Sequence, residues 1–166
     1  MAKQKKNDHF AIYAVAAVCA VAVIAMIIVL SVPKVERGEF VPPPFEENAI
    51  SGSPTVDKHL GYSKISSDQM PFCAWVCGNV TLNGNAARLY FTNPAENSVW
   101  LKVRLMDEGG DIVGESGILK EGEYVEYVTL TKKLAPGDAI TIKIMAYEVD
   151  TYHSEGAVIL TSAVSE

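Results

Sequence analysis

Residues 10–32 (FAIYAVAAVCAVAVIAMIIVLSV) run for 23 positions without a single charge. As a helix rising about 1.5 Å per residue, this stretch would measure about 34 Å, enough to cross a hydrocarbon core of about 30 Å. The sequence therefore predicts one transmembrane helix at 10–32, with the lipid bilayer as its first partner. Lys3, Lys5, Lys6 and the amino terminus precede it, opposed only by Asp8, whereas Lys34 and Arg37 beyond it are balanced by Glu36 and Glu39. That lysine bias predicts a cytoplasmic N-terminus (1–9) and an extracellular remainder (33–166), hence a single-pass protein of the cell membrane. A cleaved secretory signal has an apolar region of about 7–15 residues and an A-x-A-like site, and Leu30-Ser31-Val32-Pro33 supplies none. Cys19 sits mid-run after Val18, which does not suit a lipoprotein signal. A pilin would want glycine and glutamate where His9 and Ala14 stand. Ala16 and Ala20 form a small-xxx-small pair through which two anchors could pack, although ordinary alanine content explains them equally well.

The chain carries 14 basic and 20 acidic residues; three lysines and one aspartate precede residue 33, leaving 11 basic and 19 acidic beyond it, a net charge of −8. An acidic exterior argues against nucleic acid and against anionic lipid headgroups, both of which call for a basic surface. Residues 33–64 read as a tether, with Pro33, Pro42, Pro43, Pro44 and Pro54 among Glu, Gly and Ser and no sustained apolar period. In a polyproline conformation of about 3.1 Å per residue it would reach at most about 100 Å. Residues 65–166 then form one domain of ordinary size.

In that domain Val99, Leu101, Val103 and Leu105 alternate with Trp100, Lys102 and Arg104, and Ile140, Ile142, Ile144 and Ala146 alternate with Thr141 and Lys143. Period-two alternation is the mark of a half-buried antiparallel strand. Asn83-Gly84 suits a tight hairpin between 72–82 and 86–92, and Asp107-Glu108-Gly109-Gly110 one between 99–106 and 111–114. Further turns at Lys120-Glu121-Gly122 and Ala135-Pro136-Gly137-Asp138 bracket a strand at 124–130, and a last strand covers 157–164. About seven strands with frequent turns predict an all-β fold, an immunoglobulin- or fibronectin-like antiparallel sandwich, with a small barrel as the alternative.

Cys77-Gly78-Asn79-Val80, Tyr90 to Asn97 (YFTNPAEN), Trp100-Leu101-Lys102, Gly114 to Lys120 (GESGILK) and Ala146-Tyr147-Glu148 resemble a family of small uncharacterised proteins of Gram-positive gut bacteria. Members of that family are single-pass proteins carrying a tethered β-sandwich outside the membrane, and some accompany conjugative elements. The resemblance covers about residues 40–166. It implies fold and location and brings no activity with it. Glu121 departs from the pattern, standing where similar sequences often have Pro before Gly. The sequon Asn79-Val80-Thr81 has no expected role in a bacterial host.

Cys73 and Cys77 lie four apart, about 13 Å along a regular strand, whereas a disulfide needs Cα atoms within about 7 Å. They read as two separate, largely buried thiols, as an intramolecular bridge if the chain turns between them, or as thiols with an intermolecular or redox role. No metal or other cofactor is expected, since only His9, His59 and His153 could join the cysteines. Asp107, Glu108 and Asp111 lack the ligand spacing of a calcium loop. Gly114-Glu115-Ser116-Gly117 lacks the last glycine of a nucleophile elbow, because Ile118 stands there. Asn93, Asn97, Trp100, Tyr124, Tyr127 and Tyr152 compose a candidate interaction surface, aromatics being enriched at interfaces; core packing is the competing reading for Trp100. Together these features predict a non-enzymatic binding or assembly module serving a surface, conjugation or secretion apparatus, with an unknown protein partner or a second copy. The alternative is a domain that contacts cell-wall carbohydrate or peptidoglycan.

Overall fold

A computed structural model describes residues 4–31, 40–67 and 70–165. The chain divides into two compact units, Met1–Val41 and Pro42–Glu166. In the first, α1 spans Gln4–Ser31. No proline or glycine interrupts that span. Phe10, Ile12, Tyr13, Val15, Val18, Val21, Ile24 and Met26 are all exposed, and at 100° per residue they cover every side of α1. The side chains at 4–9, 11, 25 and 27–31 fall outside the description, as do residues 1–3 and 32–39, including Lys34, Arg37 and Pro33. Among the described residues no helix is long and apolar enough to cross a membrane; the unbroken apolar run of 10–32 is a property of the sequence.

The second unit is all-β. Its strands are β1 (Ile50–Ser51), β2 (Tyr62–Ile65), β3 (Ala74–Cys77), β4 (Val80–Asn83), β5 (Ala86–Asn93), β6 (Val99–Asp107), β7 (Ile112–Glu115), β8 (Glu123–Thr129), β9 (Ala139–Glu148) and β10 (Ser154–Ser165). They form one curled sheet in the order β1-β8-β5-β4-β10-β9-β6-β7, with β3 beside β5 and β2 outside β3. β10 makes the corner. It runs antiparallel to β9 from Ser154 to Ala163, then parallel to β4 at Val164 and Ser165. At the far end an isolated bridge between Gly114 and Leu130 draws β7 against the end of β8. A β-carbon on Gly114 would lie 2.8 Å from the Thr129 carbonyl oxygen, so this approach requires glycine.

Alternation decides what the curl encloses. Val99, Leu101, Val103 and Leu105 of β6 and Ile140, Ile142, Ile144 and Ala146 of β9 point inward, against Ala74, Val76, Leu89, Phe91, Val125 and Val128 from the other half of the sheet. The two halves share a single core, the largest favourable term in such a domain.

Three features differ from the expectation. Among the described residues there are ten strands, most of them short, rather than about seven. The expected strand at 72–82 is two, β3 and β4, separated by Gly78 and Asn79, where the chain bonds instead to Gly61 and Leu60. The expected tether of 33–64 does not extend that far, because residues 42–64 are built into the β unit. The Glu46 amide donates to the Ile118 carbonyl and the Ile118 amide to that of Pro44, both at 2.9 Å. β1 pairs with β8, and Leu60 is buried. Isolated bridges and two-residue strands need no apolar period, so a proline-rich segment conceals them.

Candidate functional site

The six residues expected to form one contact surface separate into three places. Asn93 is fully buried. Its side-chain amide donates to the carbonyls of Val99 (2.9 Å) and Leu119 (3.1 Å), and its side-chain oxygen accepts from Asn97 at 2.7 Å. Asn97 also donates to the Cys73 carbonyl (2.6 Å) and accepts from the Cys73 amide (3.0 Å). The pair is an internal clamp joining the β5–β6 loop to β3 and to the strand-like segment at Leu119. A buried carbonyl without a donor is costly, and these two asparagines supply donors where the ladder is interrupted.

Trp100 is buried too. Its ring lies between Phe45 (centroids 5.0 Å, 80°) and Tyr152 (5.1 Å, 60°), both in edge-to-face contact. It sits on the side of β6 away from the core, yet residues 44–46 and the β9–β10 turn cover it. The contact-surface reading therefore fails for Asn93 and Trp100, and Tyr152 serves as part of Trp100's cover.

Tyr124 and Tyr127 remain, on the outward face of β8, and they have company that sequence reasoning did not assemble. In β3, Ala74 and Val76 join the core while Trp75 stands half-buried on the opposite face; Cys77, and Cys73 just before the strand, lie outside the core cluster but are buried as well. Trp75 stands opposite Thr92 of β5, and Thr92 opposite Tyr124 of β8. Tyr62 of β2 stacks on Trp75, with centroids 5.4 Å apart and planes at 26°. The Tyr62 hydroxyl lies 2.7 Å from the Thr92 hydroxyl, which itself donates to the Tyr90 carbonyl, so Tyr62 is the donor of this pair.

Further along β5 the register shifts between Arg88↔Tyr127 and Phe91↔Val125, leaving Leu89 and Tyr90 opposite Glu126 alone. Tyr90 occupies the left-handed region at φ 46°, uncommon for an aromatic residue and a feature of bulges that redirect side chains. The bulge turns Glu126 and Tyr127 both outward. One Glu126 oxygen then accepts from Arg88 Nε (2.9 Å), Arg88 Nη2 (2.7 Å) and the Tyr90 hydroxyl (2.8 Å). The Arg88 guanidinium lies 5.4 Å from the ring centroids of both Tyr90 and Tyr127, within cation–π range. Desolvation alone would raise the Glu126 pKa; the bonds from Arg88 and Tyr90 outweigh it and hold the carboxyl below its ordinary value. Desolvation, then the bond to Glu126, push the Tyr90 hydroxyl up to about 12. It remains a hydrogen-bond donor at any physiological pH.

Tyr62, Trp75, Tyr90, Tyr124 and Tyr127 thus share one outward sheet face, each half-buried, and all but Tyr124 are held by a ring stack, a hydrogen bond or the Arg88 guanidinium. Beside Tyr62 and Trp75 opens a cleft of about 380 Å³, lined also by Ser53, Thr92, Pro94, Ala95 and Glu96. Lys64 pairs with Glu96 across 3.3 Å at its rim. Such an arrangement offers flat apolar rings with hydroxyls and a carboxylate around them, which suits recognition.

Cys73 and Cys77 are free thiols, both buried. Cys73 Sγ lies 3.5 Å from Asn97 Oδ1 and 3.7 Å from Glu96 Oε1. Burial pushes the Cys77 thiol up to about 11, with only a small opposing pull from Arg88. A thiol so placed is a poor nucleophile. With the full chain folded at pH 7.5, a water-soluble maleimide is expected to leave Cys77 unlabelled over hours and to modify it within minutes in denaturant, as read by mass spectrometry. Fast labelling of folded Cys77 would contradict its burial.

Two motifs set aside in the sequence have structural duties. Ser116 is buried, donates to the Gly117 carbonyl (2.7 Å) and accepts from the Val103 amide (3.0 Å). Asp107 closes the β6–β7 hairpin by accepting from the Asp111 amide at 3.0 Å and pairs with Lys132. No family model, no curated protein and no solved structure matches the chain.

Proposed function

We propose that this chain is a membrane-anchored, extracellular, non-enzymatic recognition module, whose contact surface is the aromatic outer face of β2, β3, β5 and β8. The observation that carries this is the Tyr62, Trp75, Tyr90, Tyr124 and Tyr127 array. Five aromatic side chains stand on the solvent side of a sheet whose opposite side already fills the core. Sheet faces turned to water are ordinarily polar, and aromatic rings with few rotatable bonds make strong anchors in protein contacts. The uncharged run 10–32, with apolar side chains on every side of α1, supports the anchor, since a helix apolar all round needs an apolar environment. The lysines before it support an exterior head. The immunoglobulin-like sandwich remains our reading of the head's architecture, supported by two sheet halves over one core. Kinship with the tethered surface proteins of Gram-positive bacteria, and a place beside a conjugation or secretion apparatus, belong to the same proposal.

Full-length protein in gentle detergent, passed over solubilised envelope from its host, should retain a defined protein partner. Trp75→Ala and Tyr124→Ala should each lower recovery by at least about tenfold, measured at a temperature where circular dichroism shows both variants folded. Equal recovery by wild type and both variants would overturn the assignment of this face. Protease added to intact cells should digest the head; protection there and digestion in opened cells would overturn the topology.

A second reading has an observation of its own. The stacked Tyr62–Trp75 pair walls a cleft with Ser53, Thr92 and Glu96, a composition that also suits a sugar ring. Co-sedimentation with purified peptidoglycan, abolished by Trp75→Ala, would favour it over a protein partner.

A further inference from the structure

β10 is an edge that its fold leaves open. On one side it pairs with β9 in unbroken register from Gly156↔Ala146 to Ala163↔Ala139. On the other, among the described residues, only Val164 and Ser165 are laddered, with β4, and the Ser162 hydroxyl donates to the Gly78 carbonyl, which leaves residues 157–161 as the open stretch. Main-chain direction follows from the hydrogen bonds at Val164. Its amide donates to Asp138 (2.9 Å) and its carbonyl accepts from Gly137 (2.8 Å), both at the head of β9. Alternation along the strand then turns the N–H and C=O of Ala157, Ile159 and Thr161 away from β9, toward the open edge.

The composition of this edge is unusual. From Gly156 to Ser165 (GAVILTSAVS) there is no charge and no proline, whereas natural edge strands are normally protected by one or the other. Val158 and Leu160 pack toward the core. Ile159 points outward and is 60% exposed, at the middle of the open stretch. The rest of the chain is acidic, with a net charge of −6. Two copies would repel along most of their surfaces, and like charges placed directly opposite across a ladder are unfavourable. β10 is a stretch where that repulsion is absent.

We propose that β10 pairs with β10 of a second copy, antiparallel about a twofold axis through Ile159. In this register Ile159 faces the partner's Ile159, and Ala157 faces the partner's Thr161. Every one of these positions already aims its main-chain groups at the open edge. The pairing closes about six hydrogen bonds and sets small and β-branched side chains opposite one another, with no charge meeting its like. An isologous contact of this kind closes on itself, so it gives a dimer rather than a filament. The inference deepens the assembly reading by naming one partner, and it rests on a different surface from the aromatic face. Trp75→Ala should therefore leave the dimer intact, so the two proposals can fail separately.

The test uses the full chain in detergent micelles. Light scattering coupled to size exclusion should report a dimer, and Ile159→Lys should weaken dimerisation by at least about tenfold by setting two ammonium groups against each other. The lysine side chain projects into solvent in the monomer, so the thermal midpoint should hold. In a Cys19→Ser background, Ile159→Cys should form an intermolecular disulfide on mild oxidation, because directly opposed strand residues lie about 5.5 Å apart. Thr161→Cys in the same background faces Ala157 of the other copy and should cross-link at least about tenfold less. A wild-type chain monomeric at all accessible concentrations would overturn the proposal. So would a dimer indifferent to Ile159→Lys, or equal cross-linking at 159 and 161.

Discussion

Asn93→Asp is expected to lower the stability of the β unit by about 3–5 kcal/mol, a large share of the roughly 5–15 kcal/mol that holds a domain folded. The substitution changes one atom. It places an oxygen where the side-chain amide now donates to two buried carbonyls, those of Val99 and Leu119. Ionised, the carboxylate would be a buried charge facing two carbonyl dipoles. Protonated, it has one hydrogen for two acceptors. Asn93→Ala removes the same donors without adding an acceptor and should cost about 2–3 kcal/mol, and Asn97, still bonded to Cys73, loses the acceptor it finds on Asn93. Urea denaturation of the full chain in micelles, followed by tryptophan fluorescence, would measure both. A loss below about 1 kcal/mol for Asn93→Asp would show that the clamp is not needed.

Gly117→Ala is the second large effect expected. A β-carbon at Gly117 would stand 2.5 Å from the Glu46 nitrogen and Cα and 2.6 Å from the Phe45 carbonyl carbon. These are main-chain atoms that cannot swing aside. Either the Pro44–Glu46 segment leaves, or the 116–118 segment bends away from β6. The first outcome breaks the paired amide bonds between Pro44, Glu46 and Ile118, loses the Gly117 amide bond to Glu46 Oε2 (2.6 Å), and lifts Phe45 from Trp100. About 3 kcal/mol should be lost, with increased proteolysis near residue 45 and a rise in the exposure of Trp100 to fluorescence quenchers. An unchanged midpoint together with unchanged quenching would mean that the contact is looser than these distances.

Both predictions concern residues whose roles the sequence disguises. Asn93 and Asn97 bracket Pro94, Ala95 and Glu96, a composition typical of a solvated turn. The loop does turn there, with Ala95 and Glu96 exposed, but the two asparagine side chains reach inward, and their amides face carbonyls contributed by residues 6 to 26 positions away. No local pattern reports such partners. Gly117 looked like part of an incomplete catalytic motif, while its real constraint is a segment seventy residues upstream. β6 and β9 were legible because each buries one face along its length, and a period of two survives without knowledge of the neighbours. β3 was half legible. The alternation Cys73, Trp75, Cys77 against Ala74 and Val76 was present, and following it would have placed Trp75 on the outer face. Tyr62 and Glu126 could not be found this way, because their alignment with Trp75 and Arg88 depends on strand order and on a bulge.

Residues 44–46, running alongside 117–119 in parallel, have a mechanical consequence. Any pull transmitted along the chain from residue 41 enters the β unit there first. The load falls on a few short amide bonds and on the ring of Phe45 before it reaches a long ladder. This attachment should therefore yield ahead of the rest, freeing residues 42–49 as far as β1 while the core strands stay shut. It would act as a small shock absorber where the chain enters the β unit.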